Sequence, residues 1–142
     1  MQVYDWDGGG WLQRGGDLSS GALFFGYSVS ISSDGNVLAI DDLLGSAFNG
    51  HVRIYAWDGD NWLQRGVNIV GDSLLDFSGF SVSLSSVGDV VAIGAPKNDS
   101  NGANSGHARI FYVLGPDAFP IDSSMPLPFF WNFLNWGETK WQ

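Results

Sequence analysis

Apolar and polar residues alternate along several short segments of the chain. In Ser28-Val29-Ser30-Ile31-Ser32 every second side chain is apolar, which is the period of a half-buried strand with Val29 and Ile31 on its inner face. The segment Val37-Leu38-Ala39-Ile40 is apolar throughout and predicts a strand that is covered on both faces. Asp34-Gly35, between the two segments, is typical of a tight hairpin turn. The pattern therefore predicts antiparallel strands joined by short turns.

Two further strands are predicted immediately downstream. The segment from His51 to Trp57 alternates in character, and Asp58-Gly59 then supplies a second turn signal before Trp62-Leu63-Gln64-Arg65. Because successive side chains of a strand point to opposite faces, this strand presents three of its side chains on each face. One face carries Val52, Ile54 and Ala56, and the other carries Arg53, Tyr55 and Trp57.

The chain repeats this pattern, and the repeat suggests the architecture. Four blocks recur in the same order, at offsets of 51, 53, 53 and 56 residues: 3–15 with 54–66, 26–32 with 79–85, 37–40 with 90–93, and 50–54 with 106–110. The offset changes only between blocks, so the differences in length fall in loops. Four short strands in about 50 residues is the period of a β-propeller blade.

Composition excludes several classes of protein. Gly, Ser, Asp and Asn together make up 60 of the 142 residues, which disfavours a mainly helical fold and favours an all-β one. The net charge of −9 argues against nucleic acid as a partner. There is no cysteine, and no apolar stretch approaches the length of a membrane span. The start of the chain shows no pattern of a signal peptide.

Several motifs resemble a known repeat. Phe25-Gly26 followed by Ser28-Val29-Ser30 is similar to the FG-GAP repeat of integrin α-subunit propellers, and Ala92-Ile93-Gly94-Ala95-Pro96 supplies its Gly-Ala-Pro element. The likeness is strongest to the microbial variant of this repeat and spans residues 3–114, or 112 of 142. There are two departures: Asp41-Asp42 stands in place of Gly-Ala in the first copy, and Gly79-Phe80 inverts the Phe-Gly order in the second.

This resemblance implies an all-β fold of propeller blades with four antiparallel strands each. The chain accounts for about two and a quarter blades, and so predicts an incomplete propeller. Residues 1–25 are predicted to be the end of a preceding blade, 26–66 a complete blade, 67–114 a partial blade, and 115–142 an aromatic and Pro-rich tail. For the tail we expect either a displaced fourth strand at 136–141, a helix or coil from 129, or an aromatic membrane-interface anchor, and we expect it to fold over the last blade.

The resemblance makes calcium the cofactor to consider, because some FG-GAP blades bind calcium in acidic loops. The equivalent loops here, 32–36 and 85–89, hold one acid each, which is too few for a calcium site. The oxygen-rich loop that follows Lys97 offers weak metal candidates in Asp99, Asn101 and Asn104, although ordinary turn chemistry also explains its composition. The sequence therefore predicts no cofactor, with calcium as the alternative.

No catalytic residue is predicted, and the chain is not expected to be an enzyme. His51 and His107 occupy the same position of the repeat, as do Arg53 and Arg109, which favours structural roles and pairing of the arginines with turn carboxylates. Asp41-Asp42 is the only adjacent acid pair, and its two side chains point to opposite faces of a strand.

The predicted function is binding. We expect a non-catalytic propeller module for protein binding or adhesion, as a fragment of a larger propeller. The alternatives are a lectin-like glycan-binding propeller and a truncated product without function. The resemblance implies an extracellular or cell-surface location, and open blade edges allow self-association. The long loops 41–50, 67–78 and 94–106 supply the candidate binding residues Asp41, Asp42, Asn49, Asn98, Asp99 and Asn101.

Four tryptophans recur at fixed positions of the repeat. Trp6 and Trp11 correspond to Trp57 and Trp62. Packing between blades is the predicted role of all four, and stacking on a sugar is the alternative.

Overall fold

The computed structural model describes residues 1–113, where nine strands form three antiparallel sheets that do not close on one another. The first sheet contains β1 (Tyr4–Trp6) and β2 (Trp11–Gln13). The second contains β3 (Phe25–Ile31), β4 (Val37–Asp42), β5 (His51–Trp57) and β6 (Trp62–Val70). The third contains β7 (Ser81–Leu84), β8 (Val90–Ala95) and β9 (His107–Tyr112). Strand order follows chain order in each sheet, which confirms the all-β, antiparallel prediction.

Helical structure is minor in the described part of the chain. One short helix, α1 (Gly45–Phe48), connects β4 to β5. No helix within residues 1–113 has the length and apolar character needed to cross a bilayer. The three predictions for the tail at 115–142, and its expected packing on the last sheet, lie outside the described residues.

Two strands are longer than the sequence pattern predicted. β4 continues through Asp42 and pairs that residue with His51, which shortens the predicted loop 41–50. β6 continues through Val70, so the first four residues of the predicted loop 67–78 are strand. The predicted strand stopped at Arg65. Gly66, with a φ of 68°, lies within an irregularity in the β5–β6 register, and pairing resumes beyond it.

The main core lies between the second and third sheets. Side chains alternate along β4 and β5, so one face of the second sheet presents a continuous apolar surface to β8 and β9. The buried residues of this core are Val37, Ala39, Val52, Ile54, Ile69, Val91, Ile93, Phe111 and Val113.

The opposite face of the second sheet forms a smaller core with the N-terminal segment. Leu38, Ile40, Tyr55 and Trp62 are buried there with Leu18, and Met1 and Val3 pack against them. All six residues of β4 are buried, which agrees with the prediction that both faces of this strand are covered.

The polar face of β3 contacts the third sheet, contrary to the sequence prediction. Ser28 Oγ and Ser30 Oγ accept hydrogen bonds from the amides of Val82 and Leu84, at 3.0 and 2.9 Å. Val29 and Ile31, predicted to face inward, are each 50% exposed. At this exposure, nothing else in residues 1–113 fully covers the face of β3 that carries these two side chains.

Candidate functional site

A buried polar cluster lies where β4 ends and β5 begins. The antiparallel register places Asp42 opposite His51, and the Nε2 atom of His51 lies 3.0 Å from Asp42 Oδ2. Arg53 Nη2 donates a hydrogen bond to the same oxygen at 3.3 Å. Gly45 of α1 packs so closely on this pair that a β-carbon there would collide with the ring of His51. The cluster thus ties two strands and a connecting helix together.

Burial sets the charge states in this cluster. It lowers the pKa of His51, and the carboxylate of Asp42 offsets the effect only in part. The neighbouring Asp41 points to the other face of β4, where burial raises its pKa to about 6 and the charge of Asp42 adds to the rise. The amide of Ser28 donates to Asp41 Oδ1 at 2.7 Å and opposes the shift.

The prediction that Asp41 and Asp42 belong to a binding loop is wrong. Both lie in β4 and are at most 1% exposed. The physical reason is the length of the strand, since pairing with Val52 and His51 carries β4 two residues past Ile40.

The third sheet builds the equivalent cluster with a carboxylate from elsewhere. Ala95 occupies the position of Asp42, and Asp72, which follows β6, takes over its role. Arg109 Nη1 lies 2.6 Å from Asp72 Oδ1, and His107 Nε2 lies 4.0 Å from Asp72 Oδ2. Arg109 also donates to the carbonyl oxygen of Val70 at 2.9 Å. Arg53 and Arg109 thus each pair with an aspartate. The partner of Arg109 lies outside a strand, as predicted, whereas the partner of Arg53 is Asp42 of β4 and not a turn residue.

Two side chains of the loop that follows β8, those of Asn98 and Asp99, make hydrogen bonds that hold the loop in place. Asn98 is buried, where its amide donates to Asp76 Oδ2 at 2.6 Å and its Oδ1 accepts from the amide of Ser100 at 3.0 Å. Asp99 Oδ1 accepts from the amide of Asn104 at 2.6 Å. The described residues contain no group of three or more His, Asp or Glu side chains placed to hold a metal ion.

The remaining binding-loop candidates differ in accessibility. Asp99 and Asn101 are exposed on the loop that follows β8, whereas the buried Asn98 is not available to a partner, contrary to prediction. Asn49 follows α1, is half-buried, and accepts a backbone hydrogen bond from Ser78 at 3.3 Å. The structure does not bring these residues together with Asp41 and Asp42 into one surface.

Two tryptophan pairs of the same geometry stand on successive sheets. Trp57 and Trp62 are cross-strand partners with ring centroids 5.4 Å apart and planes inclined at 58°. Trp6 and Trp11 are likewise partners, at 5.3 Å and 60°. Their surroundings differ, because Trp62 is 7% exposed whereas Trp6 and Trp11 are 57% and 68% exposed.

Arg14, the residue that follows β2, lies against the Trp57–Trp62 pair. The Cζ atom of Arg14 lies 4.6 Å from the ring centroid of Trp57 and 5.2 Å from that of Trp62. The indole N–H of Trp62 donates to the carbonyl oxygen of Arg14 at 3.0 Å. The guanidinium group also donates to Gly35 O at 2.9 Å and to Asn36 Oδ1 at 2.7 Å.

The glycine that follows this arginine allows the close approach. Gly15 has a φ of 74°, and a β-carbon on it would lie 2.7 Å from Cζ3 of Trp57. Only glycine adopts this backbone conformation without strain and also leaves room for the indole ring.

The packing prediction thus holds for Trp57 and Trp62 and not for Trp6 and Trp11. The rings of Trp6 and Trp11 are more than half exposed, so no other part of residues 1–113 covers them. No local pattern indicated this difference, because the first tryptophan of each pair lies in a Tyr-x-Trp-Asp-Gly motif and the second in a Trp-Leu-Gln-Arg-Gly motif. We take the exposed Trp6–Trp11 pair as the candidate functional site.

Comparison with known proteins adds no relative. No protein-family model matches the chain, and no curated protein matches it. The likeness to the FG-GAP repeat therefore rests on the motifs alone.

Proposed function

We propose that this chain is a non-catalytic repeat module that binds a protein partner, and that its sheets are β-propeller blades of the FG-GAP kind. The repeated order of strands supports this, as do the apolar contacts on both faces of the second sheet, with the third sheet on one face and with Met1, Val3 and Leu18 on the other. By the same likeness the module serves binding or adhesion at a cell surface or outside the cell.

The placement of the titratable groups supports a non-catalytic role. His51 and Asp42 face one another inside the second sheet, and His107 and Arg109 contact Asp72 between sheets. General acid–base catalysis needs such groups to reach a substrate, whereas these are occupied with holding strands together.

The exposed Trp6–Trp11 pair is the observation that carries the proposal. Large aromatic side chains on a surface are characteristic of binding sites, because each buries a wide apolar area when a partner covers it. Tyr4, two residues before Trp6 on the same face of β1, is also exposed and extends the aromatic surface.

Selection from a random peptide library on the full chain tests this proposal. We expect enriched peptides that bind the wild-type chain and lose binding to a Trp6→Leu/Trp11→Leu double variant. Leu12→Ala is the matched control, since Leu12 is also exposed on β2 but points to the other face. Failure to enrich any peptide that depends on the tryptophan pair would contradict a protein-binding role.

The same pair also favours the second candidate, a glycan-binding module, because aromatic faces stack on sugar rings. A glycan array probed with the same variants separates the two functions. A glycan signal that the double variant loses, without any peptide ligand, would replace our proposal. Soluble aggregates in size-exclusion chromatography with light scattering would instead favour a product without function.

A further inference from the structure

The chain contains one filled and one open copy of the same aromatic site. Both tryptophan pairs are cross-strand neighbours with centroids about 5 Å apart and planes inclined at about 60°. In the filled copy, Arg14 and Gly15, which follow β2, lie on the rings of Trp57 and Trp62. The open copy presents the same two rings to solvent.

We propose that the Trp6–Trp11 pair binds an Arg–Gly segment of a protein partner. This inference rests on the proposed function and names the chemistry of the partner at the same site. The guanidinium group would lie over the two rings, and the carbonyl oxygen of the arginine would accept a hydrogen bond from the indole N–H of Trp11, as Arg14 does with Trp62.

Arginine fits this site better than lysine. A guanidinium is planar and weakly hydrated, so it stacks on indole faces at a smaller desolvation cost than an ammonium group. The net charge of −9 also favours a cationic partner over an anionic one. Glycine is expected after the arginine because the filled copy has no room for a β-carbon beside Trp57.

The segment must come from outside residues 1–113. The only other Arg–Gly sequence in the chain is Arg65-Gly66, and Arg65 Nη2 already donates to the carbonyl oxygen of Val113 at 3.1 Å. Burial lowers the pKa of Arg65, which reflects its enclosed position between the second and third sheets. The segment after residue 113 contains no arginine, so it cannot supply the group either.

Titration of the isotope-labelled full chain with a capped peptide tests the inference. The peptide Leu-Gln-Arg-Gly-Gly copies residues 12–16, the segment that fills the buried site. We expect saturable shifts of the indole N–H signals of Trp6 and Trp11, with those of Trp57 and Trp62 unchanged. Replacing the peptide arginine by lysine should weaken binding about two- to fivefold, and replacing it by glutamine should abolish the shifts.

One further peptide variant and three protein variants extend the test. A peptide with alanine in place of the first glycine should bind more weakly than the parent peptide. On the protein, Trp11→Leu and Trp6→Leu should each weaken binding, and Leu12→Ala should leave it unchanged. Because both tryptophans are exposed, the variants should keep the wild-type dispersion of amide signals, which separates lost binding from lost structure.

Several outcomes would overturn the inference. Equal affinity for the lysine peptide, or shifts confined to other residues, would show that the rings do not recognise a guanidinium group. If the library selection yields peptides that need Trp6 and Trp11 but contain no arginine, the inference fails and the protein-binding function stands. If it yields no such peptide, the proposed function itself fails.

Discussion

Asp41 shows how burial acts on a single carboxyl group. It is fully buried in β4, accepts a hydrogen bond from the amide of Ser28, and has its pKa raised to about 6 by burial. A group whose pKa is higher in the folded than in the unfolded chain stabilises the fold while it is protonated, and that contribution is lost as pH rises through the folded pKa. His51 has the opposite shift, so its protonation costs stability as the pH falls.

Replacing Asp41 by Asn should remove the loss of stability that ionisation of the buried Asp41 carboxyl causes as the pH rises. We expect the two chains to be similarly stable at pH 4, and the advantage of Asp41→Asn to grow up to pH 7, where it reaches roughly 1–3 kcal/mol. Urea denaturation of both chains from pH 4 to 7 measures the difference and cancels the contribution of His51. Asp60→Asn, at an exposed turn, is the control and should show no such trend. A constant difference across this range would contradict the buried, titrating Asp41.

At the scale of elements, two hairpins with similar sequences bury their tryptophan side chains to different extents. Trp11 and Trp62 occupy equivalent strands and make equivalent ring pairs, but only Trp62 is covered, by Arg14 and Gly15. Their side chains therefore contribute unequally to stability although their local sequences agree.

Alanine substitution at the two positions should expose this difference. Trp62→Ala should cost about 3–5 kcal/mol, because it removes a buried ring and leaves a cavity. Trp11→Ala should cost less than about 1 kcal/mol, as is usual for an exposed position. Guanidinium denaturation measures both, and equal costs would mean that Trp11 is covered in solution.

The loop after β8 gives a prediction about metal. Asn98 and Asp99 use their side-chain oxygens to hold the loop itself. We expect millimolar calcium to change the melting temperature by less than about 1 °C, since a ligand stabilises a fold only by binding it. A rise of many degrees that Asp99→Asn abolishes would show that this loop does bind calcium.

The strands could be predicted where the signal is local. Turn residues such as Asp34-Gly35 and the alternation in β3 depend only on neighbouring residues, so they identify strands correctly. Which face of β3 is covered depends on another sheet, and there the sequence misled for Val29 and Ile31. The exposure of Trp6 and Trp11 likewise depends on which other parts of the chain cover them, and neighbouring residues do not reveal it. The Asp42–His51 pair had a visible signal, because Asp41-Asp42 departs from Gly-Ala directly across the loop from a repeated histidine.

At the scale of the described molecule, the second sheet has the most extensive packing. It has apolar contacts on both faces, whereas the first sheet has two strands of three residues, all of them exposed. Local stability should follow this difference, because segments with few buried contacts open first.

Hydrogen exchange should reveal this gradient. We expect the paired amides of β4 and β5 to exchange most slowly among residues 1–113 and those of β1 and β2 to exchange fastest. Two-dimensional NMR after transfer to deuterated water measures the rates residue by residue. Uniform protection across the three sheets would contradict the gradient and indicate a single cooperative unit.

The two polar clusters take their aspartates, Asp42 and Asp72, from different places along the chain. The polar cluster of the second sheet draws its carboxylate from within that sheet, whereas the cluster of the third draws it from residues made earlier, just after β6. Arg14 and Arg65 likewise each reach forward onto a later sheet, through Asn36 and Val113. During synthesis on the ribosome, the second and third sheets therefore emerge after the charged residues that they contact. Vectorial folding from the N-terminus would let the sheets within residues 1–113 form in the order in which they are synthesised.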